Sequence, residues 1–328
     1  VSRPTEDGLI ARYFAPLAGP GGLGLADDAA LLAPSPSHDL VLTVDGLVAG
    51  VHFFPGDPPG SIARKALGVN LSDLAAKGAR PLGYLLTLAL PSDWSEPWLA
   101  AFSAGLGEAA REAGCSLLGG DTVRASGALS LSITAIGEVP SCEMVRRTTA
   151  EPGDRICVTG TIGDAVLGLA LLLEPDAAWA APLSGDERAT LVDRYHHPRA
   201  RLALAPALRA YARAAMDVSD GLVGDAAKMM RASGVSAAID LAAVPFSAAA
   251  CRALAHDPLL RDRMVCGGDD YEILACIPPG NLPRFLHEAR RAGIPVAVIG
   301  DVVAGSGAPT FSDETGLVTF AQGSFSHF

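Results

Sequence analysis

Aromatic residues make up only 5% of this 328-residue chain, and its six cysteines form no CxxC pair and no zinc-ligand spacing. A disulfide framework and a structural zinc site are thereby excluded as organising devices. Cys115, Cys142, Cys157, Cys251, Cys266 and Cys276 read as small thiols suited to a reducing cytoplasm. Long apolar runs are missing too. None approaches the ~18 residues that span a bilayer, and the first residues show neither a basic n-region nor an apolar h-region, so no membrane role is expected. With a formal net charge of −11 and no large Lys/Arg cluster, nucleic acid and anionic lipid are equally poor partners. The chain also lacks a GxxxxGK[ST] loop and a protein-kinase catalytic loop, so any ATP site belongs to another fold.

What is present is a chain that is 49% hydrophobic with 36 glycines, an interior of Ala, Leu and Val broken by tight turns. Its length favours two α/β domains with mixed sheets over a single core. Turn chemistry at Glu151-Pro152-Gly153-Asp154 places the boundary between Pro140 and Gly153. In the first half, helices are expected over 5–14, 61–77 and 96–113, the last capped by Ser95, with strands over 40–45, 82–90 and 129–139. Cys115–Thr122 reads as a buried segment. In the second half, strands are expected near 156–159, 214–218, 237–241, 271–277 and 296–302. Helices are expected near 163–173, 185–195, 199–213, 221–232 and 281–292. The likeness of Ala135–Val139 (AIGEV) to Val298–Val302 (VIGDV) hints at a shared origin of the halves.

The main chemical signal is a set of aspartates at the ends of apolar strands or on a helix face: Asp27, Asp28, Asp45, Asp73, Asp121, Asp217 and Asp220. Carboxylates gathered in one cleft repel each other unless a cation joins them, and Mg²⁺ suits oxygen ligands delivered from separate elements. Alternation in 40–45 puts Thr43 and Asp45 on one face of a strand. The same acids could instead cap helices and turns locally. Gly119-Gly120-Asp121-Thr122 and Gly267-Gly268-Asp269-Asp270 pair glycines with acids, which fits either a phosphate-approaching backbone or plain turns. The loops before 163 and 221 could present helix N-termini to anions. Gly19–Gly24 (GPGGLG) reads as a flexible turn and matches GxGxxG in letters only, because no strand precedes it and no helix opens from it. His52, in the apolar stretch Val48–Phe54, fits a buried histidine or a phosphate contact.

Taken together, Ala11–Phe14, Asp27–Ala29, Thr43–Asp45 with Gly50–Phe53, Asn70–Ala76, Gly119–Thr122, Asp217–Gly221 and Gly268–Glu272 closely resemble the bacterial thiamine-monophosphate kinase family, in order and over nearly the whole chain. The resemblance implies the two-domain aminoimidazole ribonucleotide synthetase-like fold. Residues 1–145 would be an ATP- and Mg-binding, dimerising domain, and residues 146–328 would complete the nucleotide and substrate site. It implies a homodimer that converts thiamine monophosphate and ATP to thiamine diphosphate. By the same likeness Asp28, Thr43, Val44, Asp45, Asp73, Asp121, Asp217 and Asp220 take Mg²⁺ positions. Gly120, Asp121, Arg147 and Ser219 take ATP positions, and His52, Asp269 and Phe325 take substrate positions. Val44 stands where the family often has Thr and can offer only its backbone carbonyl. Asp269 replaces a more usual Glu, and Phe325 replaces a larger or hydroxylated aromatic. No general base is assigned. Sibling enzymes, the selenophosphate and aminoimidazole ribonucleotide synthetases and the hydrogenase-maturation dehydratase, are disfavoured because no cysteine stands at the catalytic N-terminal or C-terminal positions. A non-catalytic Mg²⁺–nucleotide sensor is the rival from another class.

Overall fold

The computed structural model describes residues 5–321, 323 and 324. It divides into two compact units: residues up to Leu74 with Ala79–Glu143, and Ala75–Gly78 with the residues from Met144 onward.

In the first unit the chain runs α1 (Glu6–Leu9), β1 (His38–Val48), α2 (Pro59–Ala76), β2 (Arg80–Leu90), α3 (Glu96–Ala113), β3 (Ser116–Arg124) and β4 (Ser130–Pro140). The four strands form one sheet in the order β1-β4-β2-β3. Antiparallel pairing sets Asp45 opposite Ile133 and Ile133 opposite Leu86, and the parallel β2–β3 pair sets Leu86 beside Gly120. One face of the sheet buries Val41, Leu47, Tyr84, Leu86, Leu88 and Ile133, packed with Leu67, Leu74, Leu99, Phe102 and Leu106 of the helices. Burying such large apolar side chains contributes roughly 1.5–3 kcal/mol each, so this face dominates the unit's stability. Residues of opposite parity point the other way. Leu40, Leu42, Val44 and Val48 of β1 share that second face with Leu85 and Val123, and all are at least a third exposed.

Sequence signals placed these elements well. Ser95 caps α3 by accepting from the Trp98 N–H, with Pro97 in the first turn and Gly114 closing the helix in the left-handed region. Three expectations need correction. The opening helix continues past Leu9 as a π-helical segment, Ile10–Phe14. The Gly19–Gly24 stretch folds into 3₁₀ turns over Pro20–Leu25 and docks on β3, with the Gly19 N–H donating to the Leu117 carbonyl at 3.0 Å. Only the first half of Cys115–Thr122 is buried; from Gly120 the strand is an exposed edge.

The second unit runs β5 (Arg155–Thr159), α4 (Asp164–Leu173), α5 (Gly185–His196), α6 (Ala205–Tyr211), β6 (Ala214–Val218), α7 (Leu222–Ser233), β7 (Ser236–Asp240), α8 (Ala248–His256), α9 (Leu260–Cys266), β8 (Glu272–Ile277), α10 (Leu282–Arg291), β9 (Val296–Val303), β10 (Thr310–Asp313) and β11 (Gly316–Val318). Its seven strands form a mixed sheet, β11-β10-β7-β9-β5-β8-β6. The helix expected over 199–213 is shorter, because Pro206 has no N–H to donate and its ring clashes with the carbonyl one turn back. A 3₁₀ turn, Leu202–Leu204, precedes α6 instead. The two short repeats make the same kind of pairing: Glu138 on β4 lies in register and ion-paired with Arg80, and Asp301 on β9 with Arg155.

The cysteines are free. Burial pushes the thiols of Cys115 and Cys157 up to about 12 and that of Cys266 to about 11, and it raises Cys276 further. Cys142 and Cys251 are exposed, one in each unit.

Candidate functional site

In the first unit, a cavity of about 590 Å³ opens beside β3, and its walls include Asp27, Asp28, Gly119, Gly120 and Asp121. The docked 3₁₀ turns explain how the acidic loop arrives there. The Leu31 N–H donates to the Gly21 carbonyl at 2.8 Å and pins residues 26–31 above the strand. The Asp28 N–H donates to the Asp27 carboxylate, so the two acids form one compact turn. The floor is apolar, from Phe14, Leu25 and Leu117. This is a concave apolar site with a few convergent polar groups, the usual form of a small-molecule pocket.

Thr43, Asp45 and Asp73 gather at the far edge of the sheet. Thr43 and Asp45 share the helix-facing side of β1. The Thr43 hydroxyl donates to the Asp73 carboxylate on α2. Buried Asn70, one helical turn before Asp73, accepts from the Asp45 N–H at 3.0 Å and donates its amide to the Ala66 carbonyl. Val44 lies on the opposite, exposed face. His52 folds back on the end of β1, its Nδ1 accepting from the Val48 N–H at 3.0 Å, which leaves Nε2 to carry the proton of the neutral ring.

These two groups do not meet within one copy of the unit. Asp45 and Gly120 lie in one row across the sheet, three strand spacings or roughly 14 Å apart. Asp121, one residue on, also points to the other face. No cluster of three His, Cys, Asp or Glu side chains able to hold a metal is present among the described residues.

In the second unit, Asp217 ends β6, and Ser219 and Asp220 form the loop into α7. The Asp269 N–H donates to the Ser219 carbonyl at 2.9 Å, which brings that expected substrate residue against an expected ATP residue. Asp269 and Tyr271 both hold left-handed backbone, at φ 73° and 49°. Arg147 lies elsewhere in the unit: its carbonyl accepts from Ser233 Oγ at the C-terminal end of α7, a helix roughly 18 Å long whose other end carries the Ser219–Asp220 loop. Phe325 lies outside the described residues.

The two helix N-termini that sequence suggested as anion sites are already filled from within. The Gly163 N–H, at the start of α4, donates to both oxygens of buried Asp270 at 2.9 and 3.0 Å. The Ser219 and Asp220 N–H groups both donate to Oδ2 of buried Asp225 at 2.9 Å. Lys228 bridges Asp225 and Asp220. Burial raises the Asp270 and Asp225 carboxyls above the usual carboxylate range. Burial would lower the Lys228 ammonium, but its two carboxylate partners outweigh that and raise it.

A further network escaped the sequence reading. Glu272 is fully buried and accepts from Thr159 Oγ1 at 2.6 Å, Arg194 Nη2 at 2.7 Å and Arg201 Nε at 2.7 Å. These partners, 71 to 113 residues away in the chain, hold the residue next to Tyr271 in place. The available signal was a glutamate heading the apolar run Ile273–Ile277, where a buried charge needs cationic and hydrogen-bonding partners.

Residues 26–139 match the family model of the AIR synthase related protein N-terminal domain, and residues 151–310 match that of the C-terminal domain. The thiamine-monophosphate kinase of Caulobacter vibrioides is 42% identical over 313 residues, covering 94% of this chain and 87% of that protein. Among solved structures, the thiamine-monophosphate kinase from Stenotrophomonas maltophilia K279a aligns with a TM-score of 0.80 at 38% identity, over 90% of this chain and 91% of that one. AaThiL complexed with AMPPCP and TMP aligns with a TM-score of 0.78 at 29% identity, over 100% and 99% of the two chains. Through both of its halves the chain belongs to the thiamine-monophosphate kinase family, built on the AIR synthase related fold.

Proposed function

We propose that this enzyme transfers the γ-phosphoryl group of ATP directly to the phosphate of thiamine monophosphate, with Mg²⁺, as a cytoplasmic homodimer. The observation that carries this reading is the pocket in which Asp27 and Asp28 face the Gly119–Asp121 edge, in a chain that aligns over its full length with AaThiL complexed with AMPPCP and TMP.

The donors suit Mg²⁺. Asp28, Asp45, Asp73, Asp121, Asp217 and Asp220 offer carboxylate oxygens, Thr43 a hydroxyl and Val44 a backbone carbonyl, with no sulfur or imidazole in the set. When bound, Mg²⁺ would neutralise charge between the ATP phosphates and the acceptor phosphate. The chain's own residues set the geometry. Thr43 fixes the Asp73 carboxylate, Asn70 fixes the backbone at Asp45, and Asp225 fixes the backbone at Ser219 and Asp220. Arg147, Gly120 and Ser219 would add contacts to ATP, and His52, Asp269 and Phe325 to the thiamine phosphate. The acceptor is already an anion, so no strong base is required. Its oxygen forms the new bond to the γ-phosphorus as the bond to the β-bridging oxygen breaks, and that electron pair leaves on ADP.

The bare sheet face supports the dimer. Leu42 and Val44 are each 61% exposed on it, and an apolar patch of this kind marks an association surface.

Incubation with ATP, Mg²⁺ and thiamine monophosphate should yield thiamine diphosphate by mass, and Asp45→Asn or Asp73→Asn should lower turnover at least ~100-fold with the fold retained. Absence of the diphosphate would overturn the substrate assignment. Near-normal turnover in both variants would overturn the metal assignment.

A further inference from the structure

Lys228 is one of only three lysines in a chain whose cationic residues are otherwise all arginine. The other two are committed elsewhere: Lys65 is 2% exposed, and Lys77 donates to the Ala215 carbonyl at 2.8 Å. Lys228 stands on the first turns of α7, eight residues beyond Asp220, with about a third of its side chain exposed. Its ammonium contacts Asp220 and lies 2.9 Å from Asp225 Oδ1. The two carboxylates differ in kind. Asp225 is fully buried, and its other oxygen holds the Ser219 and Asp220 N–H groups, so it cannot leave without unmaking the loop. Asp220 is 38% exposed, and among the described residues its carboxylate is held by Lys228 alone.

We propose that Lys228 is a tethered counter-cation that occupies Asp220 in the metal-free enzyme and withdraws to Asp225 alone when a divalent cation binds there; this rests on the assignment of Asp220 as a Mg²⁺ ligand. Lysine suits the task better than arginine. An ammonium is a compact point charge on a flexible stem, whereas a guanidinium would grip both carboxylates in a planar fork and resist displacement. The arrangement keeps Asp220 paired and the loop formed before metal arrives, at the cost of competing with the metal. Asp225 is thus a positioning residue and Lys228 a tuner of metal affinity, and neither needs to touch the reacting phosphates.

Mn²⁺ reports binding without turnover, through the paramagnetic signal of the free ion. Lys228→Met should bind Mn²⁺ roughly tenfold more tightly than wild type in the presence of a non-hydrolysable ATP analogue, since one competing charge is gone. It should also melt at lower temperature in EDTA and gain more from added Mg²⁺. Weaker or unchanged Mn²⁺ binding in Lys228→Met would overturn the proposal. Asp220→Asn is the companion: loss of Mn²⁺ affinity upholds the ligand assignment, and unchanged affinity removes both that assignment and the role of Lys228. Should Lys228→Met not fold, reductive methylation of the wild-type protein gives the answer. Lys228 should be modified several-fold faster with Mg²⁺ and analogue than in EDTA, and an equal or slower rate would overturn the proposal. With so few lysines the modified site is read directly by peptide mass.

Discussion

Two neighbouring glycines in the pocket wall should respond in opposite ways to a single methyl group. A Cβ on Gly120 would sit 1.8 Å from the Leu86 carbonyl oxygen and 2.7 Å from its carbon, both backbone atoms of the paired strand β2. Carbon needs ~3.5 Å or more from such neighbours, so β3 would have to part from β2 by over ~1 Å at that row. Losing two ladder hydrogen bonds at ~1 kcal/mol each, with ~1–3 kcal/mol of overpacking, makes Gly120→Ala destabilising by ~3–5 kcal/mol. At Gly119 the nearest atom to such a Cβ is Leu85 Cδ2 at 3.5 Å, an ordinary contact with a movable side chain. Alanine there loses less backbone entropy on folding and should be neutral to ~1 kcal/mol stabilising. The measurement is urea unfolding followed by tryptophan fluorescence in a Trp179→Phe background. Of the three tryptophans, Trp94 and Trp98 then report the first unit alone. Equal unfolding midpoints for the two variants would refute this account of the β2–β3 edge.

Glu138 is held down to about 2 by the Ser35 N–H and, against burial, by Arg80. Its contribution is therefore complete above the ordinary value of 4.5 and is lost as pH falls from there toward 2. Glu138→Gln should flatten that acid limb in denaturant midpoints taken across the window. Glu272→Gln leaves Arg194 and Arg201 facing a neutral partner in a buried site and should cost the second unit ~3–5 kcal/mol, read from the Trp179 signal during unfolding. Leu42→Lys with Val44→Lys puts charge on the bare sheet face and should halve the mass seen by sedimentation velocity while lowering turnover. An unchanged mass would remove that face as the dimer surface.

How much of this was legible depended on the range over which each residue acts. Strands such as 40–45 and 82–90 and the helix capped by Ser95 declare themselves through alternation, spacing and a local cap, and each formed within a few residues of its expected bounds. The shared face of Thr43 and Asp45 followed from the two-residue period alone. The helices α8 and α9 were missed because, at nine and seven residues, each is too short for its spacing to repeat. The Gly19–Gly24 stretch was misread because its 3₁₀ turns depend on docking to Leu117, nearly a hundred residues away. The same distance in sequence hid the filling of the helix N-termini, where Asp270 reaches Gly163 across 107 positions. The sequence singles out the aspartates as a class. Which of them face one pocket and which lie on the opposite edge of the sheet follows only from strand order and register.

The placement of the exposed thiols has a practical consequence. Cys142 sits in a left-handed turn whose backbone N–H is held by Asp39, and Cys251 sits within a regular helix, so each offers a stiff mount for a probe. The remaining four thiols are held protonated by burial and react slowly. The unaltered polypeptide thus carries one labelling handle in each half. Each unit can therefore carry a spin label or fluorophore of its own, with no substitution to disturb the chemistry.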